Sequence, residues 1–345
     1  MKPGLPHEAL ELRVLRTAPE PYLTINDATV HRLLCESPQD YFDHLLSRLR
    51  DIAAGRIQVE LPPKQVFADG GSDDSNAADF RVMPCVTRSA DGAIKTVKLV
   101  GTNIAQQQVP DQITVGKALV IDATENFITH VVDACLLSSA RTGLCAAIAI
   151  HLLARRKQKL VVIGSGRVGY YSALFAAACC GVGEITFVDA DVSRAEAAAA
   201  ALAARQPQVM CGSTTIDKLS RCDIAILATT SRRALCAPPG WHADLVISLG
   251  ADIDCQSELD AAWATAADIY VDTPDTARFG DLRAWLASGL VDEKNINKIN
   301  DLLTSPATSR GNRPRLFIST GSALFDNLTL EYLLRRLVLT TQASR

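Results

Sequence analysis

Leu160-Val-Val-Ile-Gly-Ser-Gly-Arg-Val-Gly169 begins as an apolar run, passes directly into G-x-G-x-x-G, and is followed by the alanine-rich stretch Ala173 to Ala178. This order predicts a strand, a tight turn and the start of a helix. The three glycines serve different purposes, since Gly164 allows the turn, Gly166 lets the backbone approach a pyrophosphate, and Gly169 lets helix and strand pack closely. The loop Ser165, Gly166, Arg167, Val168 then presents the amides that open the helix to an anion. Twenty residues beyond Gly169, the strand Glu184-Ile-Thr-Phe-Val-Asp189 ends in a carboxylate, placed to accept hydrogen bonds from an adenosine ribose. The expected cofactor is a dinucleotide. Asp189 would repel a 2′-phosphate, which favours NAD over NADP, although Arg194 follows five residues later and works against that preference.

Outward from this motif the same alternation continues. Asp223-Ile-Ala-Ile-Leu-Ala-Thr229, Asp244-Leu-Val-Ile-Ser-Leu249, Asp268-Ile-Tyr-Val-Asp272 and Pro314-Arg-Leu-Phe-Ile-Ser-Thr-Gly321 read as strands. Ser193 and Glu196 form an S-x-x-E capping box that opens the helical run Ala195 to Ala204. Near-continuous apolar strands separated by helical stretches indicate a parallel sheet covered on both faces. The fold class is therefore α/β, a Rossmann-type doubly wound sheet.

A chain of 345 residues suggests two domains at roughly 150 residues each. Leu23 to Gly55 reads as a helical opening, with Thr24 or Asn26 as cap and Gly55 as stop. Phe67 to Phe80 collects turn formers and acids and is expected to be a mobile loop. Three extended runs, Phe80 to Val86, Thr96 to Gly101 and Ala118 to Asp122, are separated by turns at Asp91-Gly92 and Val115-Gly116, and predict a small, largely antiparallel sheet. Asp133 to Ala154 is helical, with small residues such as Ala134, Ser138, Ala146 and Ala149 allowing close packing, and it bridges into the nucleotide domain. If the last helix, Ala323 to Leu337, packs back on the first domain, that domain is discontinuous. The expected division is 1–140 with 322–345, a smaller α+β unit, and 141–321, the nucleotide-binding unit.

The 35 basic and 38 acidic residues give a net charge of -3 without long runs of either sign. No electrostatic footprint for nucleic acid or anionic membrane results, so a small-molecule partner is expected. The first residues lack the apolar core of a signal peptide and the apolar runs read as too short to cross a bilayer, which predicts a cytoplasmic protein. Ten cysteines without any C-x-x-C, including the neighbours Cys179 and Cys180, read as buried reduced thiols. The six histidines form no array, and no metal is expected.

Candidate chemistry lies at four places. Lys98, in Thr96-Val-Lys-Leu-Val, is either a buried cation in need of a partner or an edge-strand residue in water. Arg81 and Arg141 are either solvated or a pair of forks for a carboxylate. Thr142 beside Arg141, and Thr229 and Thr230 at the end of a nucleotide-domain strand, are candidates for the cofactor. Asp252, in Gly250-Ala-Asp after another strand, is a proton acceptor beside the nicotinamide or a turn former.

Taken together, Arg81-Val-Met-Pro, Lys98 with Val100-Gly101, Ser138-Ser-Ala-Arg-Thr142, the glycine loop, Gly250-Ala-Asp with Glu258-Leu259, and Ser319-Thr-Gly-Ser-Ala-Leu-Phe-Asp326 resemble the ornithine cyclodeaminase and mu-crystallin family from about Leu23 to Leu337. The resemblance implies a homodimer whose N-terminal domain builds the substrate pocket and the dimer contact. Arg81, Lys98 and Arg141 would hold the substrate carboxylate, with Lys98 also near the reacting centre, and Asp252 would be the acid-base residue at the amine. Members cyclise ornithine or lysine with loss of ammonia, reduce cyclic imines, oxidise alanine, or oxidise an amino-acid conjugate on the way to 2,3-diaminopropionate. Mu-crystallin-like members suggest a non-catalytic, dinucleotide-bound protein as a further alternative. Gln256 stands where the cyclodeaminases commonly have lysine, and Phe325 where they have an acid. The expected activity is thus an NAD-linked amino-acid dehydrogenase or imine reductase, with a cyclodeaminase as the alternative.

Overall fold

The computed structural model describes residues 11, 13–68, 79–219, 221–238, 243–252, 256–304 and 313–343, and these fold around two large sheets. The first contains β1 (Leu23–Ile25), β2 (Gln58–Glu60), β3 (Gln65–Ala68), β4 (Asp79–Ser89), β5 (Gly92–Thr102), β6 (Thr114–Ile121) and β7 (Ile128–Asp133). Their order is β1-β7-β6-β5-β4-β2, with β3 also on β4. All pairs are antiparallel except β1 with β7. Period-two alternation sends Arg81, Met83 and Cys85 of β4 and Thr96, Lys98 and Val100 of β5 to the inner face, while Phe80 and Leu99 face out.

Several details differ from the sequence expectation. The helical opening starts as β1 and then divides into α1 (Asp27–Glu36) and α2 (Pro38–Ala53), because Pro38 tolerates only the first turn of a helix. Asn26 is the cap, accepting from the Thr29 amide at 2.9 Å. Val115-Gly116 is no turn: Gly116 lies inside β6, where a Cβ would stand 2.0 Å from the Leu99 carbonyl oxygen. The core of the expected loop, 69–78, lies outside the described residues, but Phe67 and Phe80 pair across β3 and β4 with stacked rings 4.7 Å apart.

The second sheet is parallel throughout. It comprises β8 (Lys159–Ile163), β9 (Glu184–Val188), β10 (Met210–Thr214), β11 (Ile224–Leu227), β13 (Leu245–Ser248), β15 (Asp268–Val271), β16 (Ile296–Lys298) and β17 (Arg315–Ile318). The order is β10-β9-β8-β11-β13-β17-β15-β16, and β12 (Arg232–Cys236) pairs with β14 (Ser257–Leu259) beside it. The chain leaves β8 in one direction and β11 in the other, so the carboxyl ends of these neighbours border the crevice where open parallel sheets take ligands. The helix after β9 is capped by Asp191, which accepts from Ser193, rather than by the Ser193–Glu196 box.

Two helices join the sheets. The twenty residues of α3 (Ala134–Leu153) are long and apolar enough to span a bilayer, contrary to the sequence expectation, yet they are mostly buried inside the protein. Their close neighbour is α4 (Arg167–Cys179), so near that a Cβ on Gly143 would lie 2.6 Å from the Tyr171 carbonyl carbon. After α5 (Val192–Arg205), the last helix, α6 (Ala323–Ala343), returns to the inner face of the first sheet. There Asn327 donates to Ile94 O and Thr96 Oγ1, both at 3.0 Å, and Tyr41 Oη meets Thr329 Oγ1 at 2.6 Å. The nine described cysteines are free thiols; Cys255 lies outside the described residues.

Candidate active site

A cleft of about 950 Å³ lies between the ends of β8, β11 and β13 and the inner face of the first sheet. Its glycine end is shaped by backbone. Gly164 has a φ of +94°, and a Cβ there would stand 2.3 Å from Ala228 O; a Cβ on Gly169 would stand 1.9 Å from Gly164 O. Around Gly166, by contrast, nothing lies within 4 Å of a Cβ position. Gly166 is also the N-cap of α4, and no side chain caps that helix, so its first amides can meet an anion. The Ser165 amide has another partner: it donates to Asp189 Oδ2 at 2.7 Å, while Asp191 N donates to Asp189 Oδ1 at 3.0 Å. Asp189 thus ties the glycine loop to the end of β9.

The lining brings together most of the residues singled out in the sequence. Ser165, Gly166, Arg167, Val168, Thr229 and Thr230 stand at the glycine end, and Arg81, Lys98, Arg141, Thr142 and Asp252 at the other. Gly164, Gly169 and Asp189 are not on it. Thr142 Oγ1 donates to Ser138 O at 2.8 Å, which leaves its hydroxyl an acceptor toward a ligand, while Thr229 Oγ1 donates to Glu258 at 2.9 Å and already accepts from Ser231 N at 3.2 Å. Glu258, fully buried, also accepts from Thr229 N, Ser248 Oγ and Gly250 N, at 2.8, 2.7 and 2.9 Å. It fixes the ends of β11 and β13 and thereby the start of the Gly250-Ala-Asp turn. Burial pushes its carboxyl above the ordinary value, against those donors.

At the charged end, Arg81 donates from Nε to Asp79 Oδ2 at 2.7 Å and from Nη1 to Asp252 Oδ2 at 2.5 Å. Burial works against the Arg81 charge, but Asp252 and Asp79 outweigh it and hold its pKa above the ordinary value. The Asp252 carboxyl feels burial in the other direction, yet Arg81, Lys64 and Arg141 keep it below the usual carboxylate value. Asp252 is therefore ionised, with a side chain 35% exposed to the cleft. Lys98 is 1% exposed, which settles the edge-strand alternative: β5 is flanked by β4 and β6. Lys98 Nζ and Arg141 Nε share Asp326 Oδ1, at 2.8 and 2.9 Å. Burial pushes the Lys98 ammonium down to about 7, and the Arg141 charge adds to this while Asp326 opposes it.

The family enters through the whole of this frame: residues 27–339 match the ornithine cyclodeaminase/mu-crystallin family. The chain belongs to that family. It is 28% identical to the L-lysine cyclodeaminase of Streptomyces rapamycinicus over 284 residues, covering 80% of this chain and 79% of that protein. It is 25% identical to the alanine dehydrogenase of Archaeoglobus fulgidus, covering 78% of this chain and 82% of the other. In fold it matches the Δ1-pyrroline-2-carboxylate reductase of Thermococcus litoralis, solved with NADH and L-proline, at a TM-score of 0.80 and 17% identity over 92% of this chain and 98% of that one.

Within the ornithine cyclodeaminase/mu-crystallin family, the departures noted in the sequence have distinct surroundings. Phe325 is 1% exposed and belongs to the apolar core. Gln256 lines the cleft, and its amide group, turned toward Gly250 O and Asp252 Oδ1, donates to them at 2.6 and 3.3 Å. A neutral group thus stands beside the candidate acid-base residue. Sequence reading passes over Lys64, Asp79 and Glu258 as site residues and gives Asp326 no role. Asp326 does carry a signal: it is a carboxylate among Leu324, Phe325 and Leu328, on a helix face that is otherwise apolar. Asp79 and Lys64 border segments too irregular to show a pattern.

Proposed function

We propose that this chain is an NAD(H)-dependent oxidoreductase working at the Cα–N bond of an amino or imino acid or an amino-acid conjugate. The observation that carries the proposal is one cleft with an open glycine wall at a helix N-terminus and an ionised Asp252, paired with Arg81, at its other end. The wall fits a pyrophosphate, since a Cβ at Gly166 would meet no protein atom. Ser165 to Val168 would hold the phosphates, Asp189 the ribose, and Thr142, Thr229 and Thr230 the remaining polar groups. Bound there, the dinucleotide supplies the two-electron acceptor or donor. Arg81 and Arg141 present guanidinium forks to the substrate carboxylate, and Lys98 adds a cation beside the reacting centre. Asp252 takes the proton that the substrate nitrogen loses on oxidation and returns it on reduction.

The relatives named for alanine oxidation and lysine cyclodeamination bracket this chemistry. The lysine cyclodeaminase favours ring closure with ammonia release as a second reading. Gln256 in place of a lysine, and Phe325 in the core, weigh toward net oxidation or reduction instead. A non-catalytic binder in the manner of mu-crystallin has no use for an ionised Asp252. We further infer a substrate-binding and dimerisation unit of 1–140 with 322–345, a nucleotide-binding unit of 141–321, a cytoplasmic location, and a homodimer. The outer face of the first sheet, with Phe67, Phe80 and Leu99 exposed, supports the dimer.

One pair of assays tests this function. Net NADH formation or consumption with a small amino or imino acid is expected, together with little ammonia from ornithine or lysine without redox change. Stoichiometric ammonia with no NADH accumulation would instead establish the cyclodeaminase. Asp252→Asn should lower turnover about 10²-fold or more while NADH still quenches or sensitises fluorescence as before. A fully active Asp252→Asn enzyme would remove Asp252 from the chemistry.

A further inference from the structure

The segment between β2 and β3, Leu61-Pro62-Pro63-Lys64, has little backbone hydrogen bonding of its own to hold it. Neither proline has an N–H to donate, and the pairing of β3 begins only at Gln65, opposite Val82. Yet the segment ends in Lys64, 4% exposed, whose ammonium feels the charges of Asp252, Arg81 and Arg141 and so belongs to the charged end of the cleft. What places it comes from the other sheet. Lys64 N donates to Asp275 Oδ2 at 3.3 Å, and Lys64 O accepts from Arg278 Nη1 at 3.3 Å, while the same Nη1 donates to Asp275 Oδ1 at 2.7 Å. The side chain is held from the same quarter, since its ammonium donates to Thr320 O at 2.8 Å and lies 3.8 Å from the centre of the Phe279 ring.

These partners come from two short stretches. Asp275, Arg278 and Phe279 lie on or just after the 3₁₀ turn Pro274–Arg278 that follows β15, and Thr320 follows β17. Asp275 and Arg278 form a bracket that takes both backbone polar groups of one residue, as a neighbouring strand would. Neither lines the main cleft, and their side chains are 19% and 52% exposed. They can therefore reach a substrate only through Lys64. Without the bracket the Lys64 N–H and C=O turn to water, and an ammonium that burial already pushes down to about 8 regains hydration by following them outward.

We propose that Asp275 and Arg278 are positioning residues for the substrate carboxylate: by gripping the Lys64 backbone they hold its ammonium at the charged end of the cleft, across the boundary between the two sheets. This grip serves the reaction only if the cleft takes an amino or imino acid as proposed above, whereas its existence can be tested without substrate. Acetylation of the full-length protein with limiting acetic anhydride, followed by peptide mass mapping, reads the exposure of each lysine. In the wild type Lys64 and Lys98, 4% and 1% exposed, should label slowly beside Lys294, whose side chain is 77% exposed. Arg278→Met removes the guanidinium fork from a half-exposed position; it should raise Lys64 labelling about tenfold and leave Lys98 protected. Arg278→Lys, which restores one donor, should return most of that protection. The second measurement is calorimetric titration of the NADH-loaded protein with L-alanine, L-proline and L-lysine. For each that binds, Arg278→Met should raise Kd about tenfold with the Kd for NADH unchanged. Unchanged Lys64 labelling in Arg278→Met overturns the proposal, and so does a rise shared by Lys98, which would mark general loosening. Amino-acid affinity that holds while Lys64 becomes exposed overturns it as well. Should Arg278→Met not fold, Asp275→Ala decides by the same two readings. A wild type that binds none of the three amino acids would count against the function proposed above, while the Lys64 labelling would still decide whether the bracket places that lysine.

Discussion

The two ends of the cleft are built by different means. At the glycine end much of the wall is backbone from one short run, and the carboxylate behind it, Asp189, is engaged by amides of the protein itself. At the charged end, side chains arrive from β4, β5, α3, α6, the turn after β13 and the segment before β3, and most of the charges are paired. A ligand common to many reactions can be met by geometry that is contiguous in the chain. A particular substrate needs charges that come together only in the tertiary fold. The glycine end should therefore be sensitive to a single added methyl group, and the charged end to a single lost charge.

The largest effect should come from Asp326→Ala. It strands Lys98 and Arg141, both buried, without their shared carboxylate, and should cost about 3–5 kcal/mol of stability in a denaturant titration. An unchanged midpoint would mean that pairing does not hold this end together. Gly169→Ala should cost less, about 1–3 kcal/mol, because its Cβ would press on Gly164 O and force the loop to shift. Its mark should be on dinucleotide affinity, with carboxylate binding retained; equal damage to both would show that the two ends are not separable.

A smaller effect is expected from pH. Lys98 is cationic below about 7 and neutral above it, so a carboxylate it helps to hold should bind more weakly as pH rises toward about 9, by about tenfold in KM. Stability moves the other way. The unfolded lysine keeps its proton up to 10.5, so between the two values the unfolded chain binds more protons and folding gains as pH rises. Lys98→Met should flatten both profiles, and a Lys98→Met enzyme with the wild-type KM profile would shift the titration to Lys64.

Much of the glycine end was legible in the sequence because its physics is local: φ at Gly164, contact at Gly169 and openness at Gly166 all concern one turn. The parallel strands were legible for a similar reason, as continuous apolar runs. Lys98 shows where this stops. The sequence leaves it either a buried cation in need of a partner or an edge-strand residue in water, and alternation decides for the first, with Leu99 40% exposed and Lys98 inside. Only the return of α6 supplies the partner that makes such burial tolerable. The single opening helix likewise hid a break at Pro38, since periodicity runs on across a proline that merely starts the next helix.

The path of α6 also sets an order of events during synthesis. Residues 79–102 leave the ribosome long before Asp326, and until that helix is made β5 holds a lysine with no counter-ion, while Asn327 and Thr329 are not yet there to meet Thr87, Thr96 and Tyr41. The strand-helix alternation of the second sheet, from β8 to β17, can close on local contacts as it emerges. The first sheet made is therefore the last to be finished, and a chain stopped just before α6 would carry a mature nucleotide crevice beside a substrate wall that cannot yet settle.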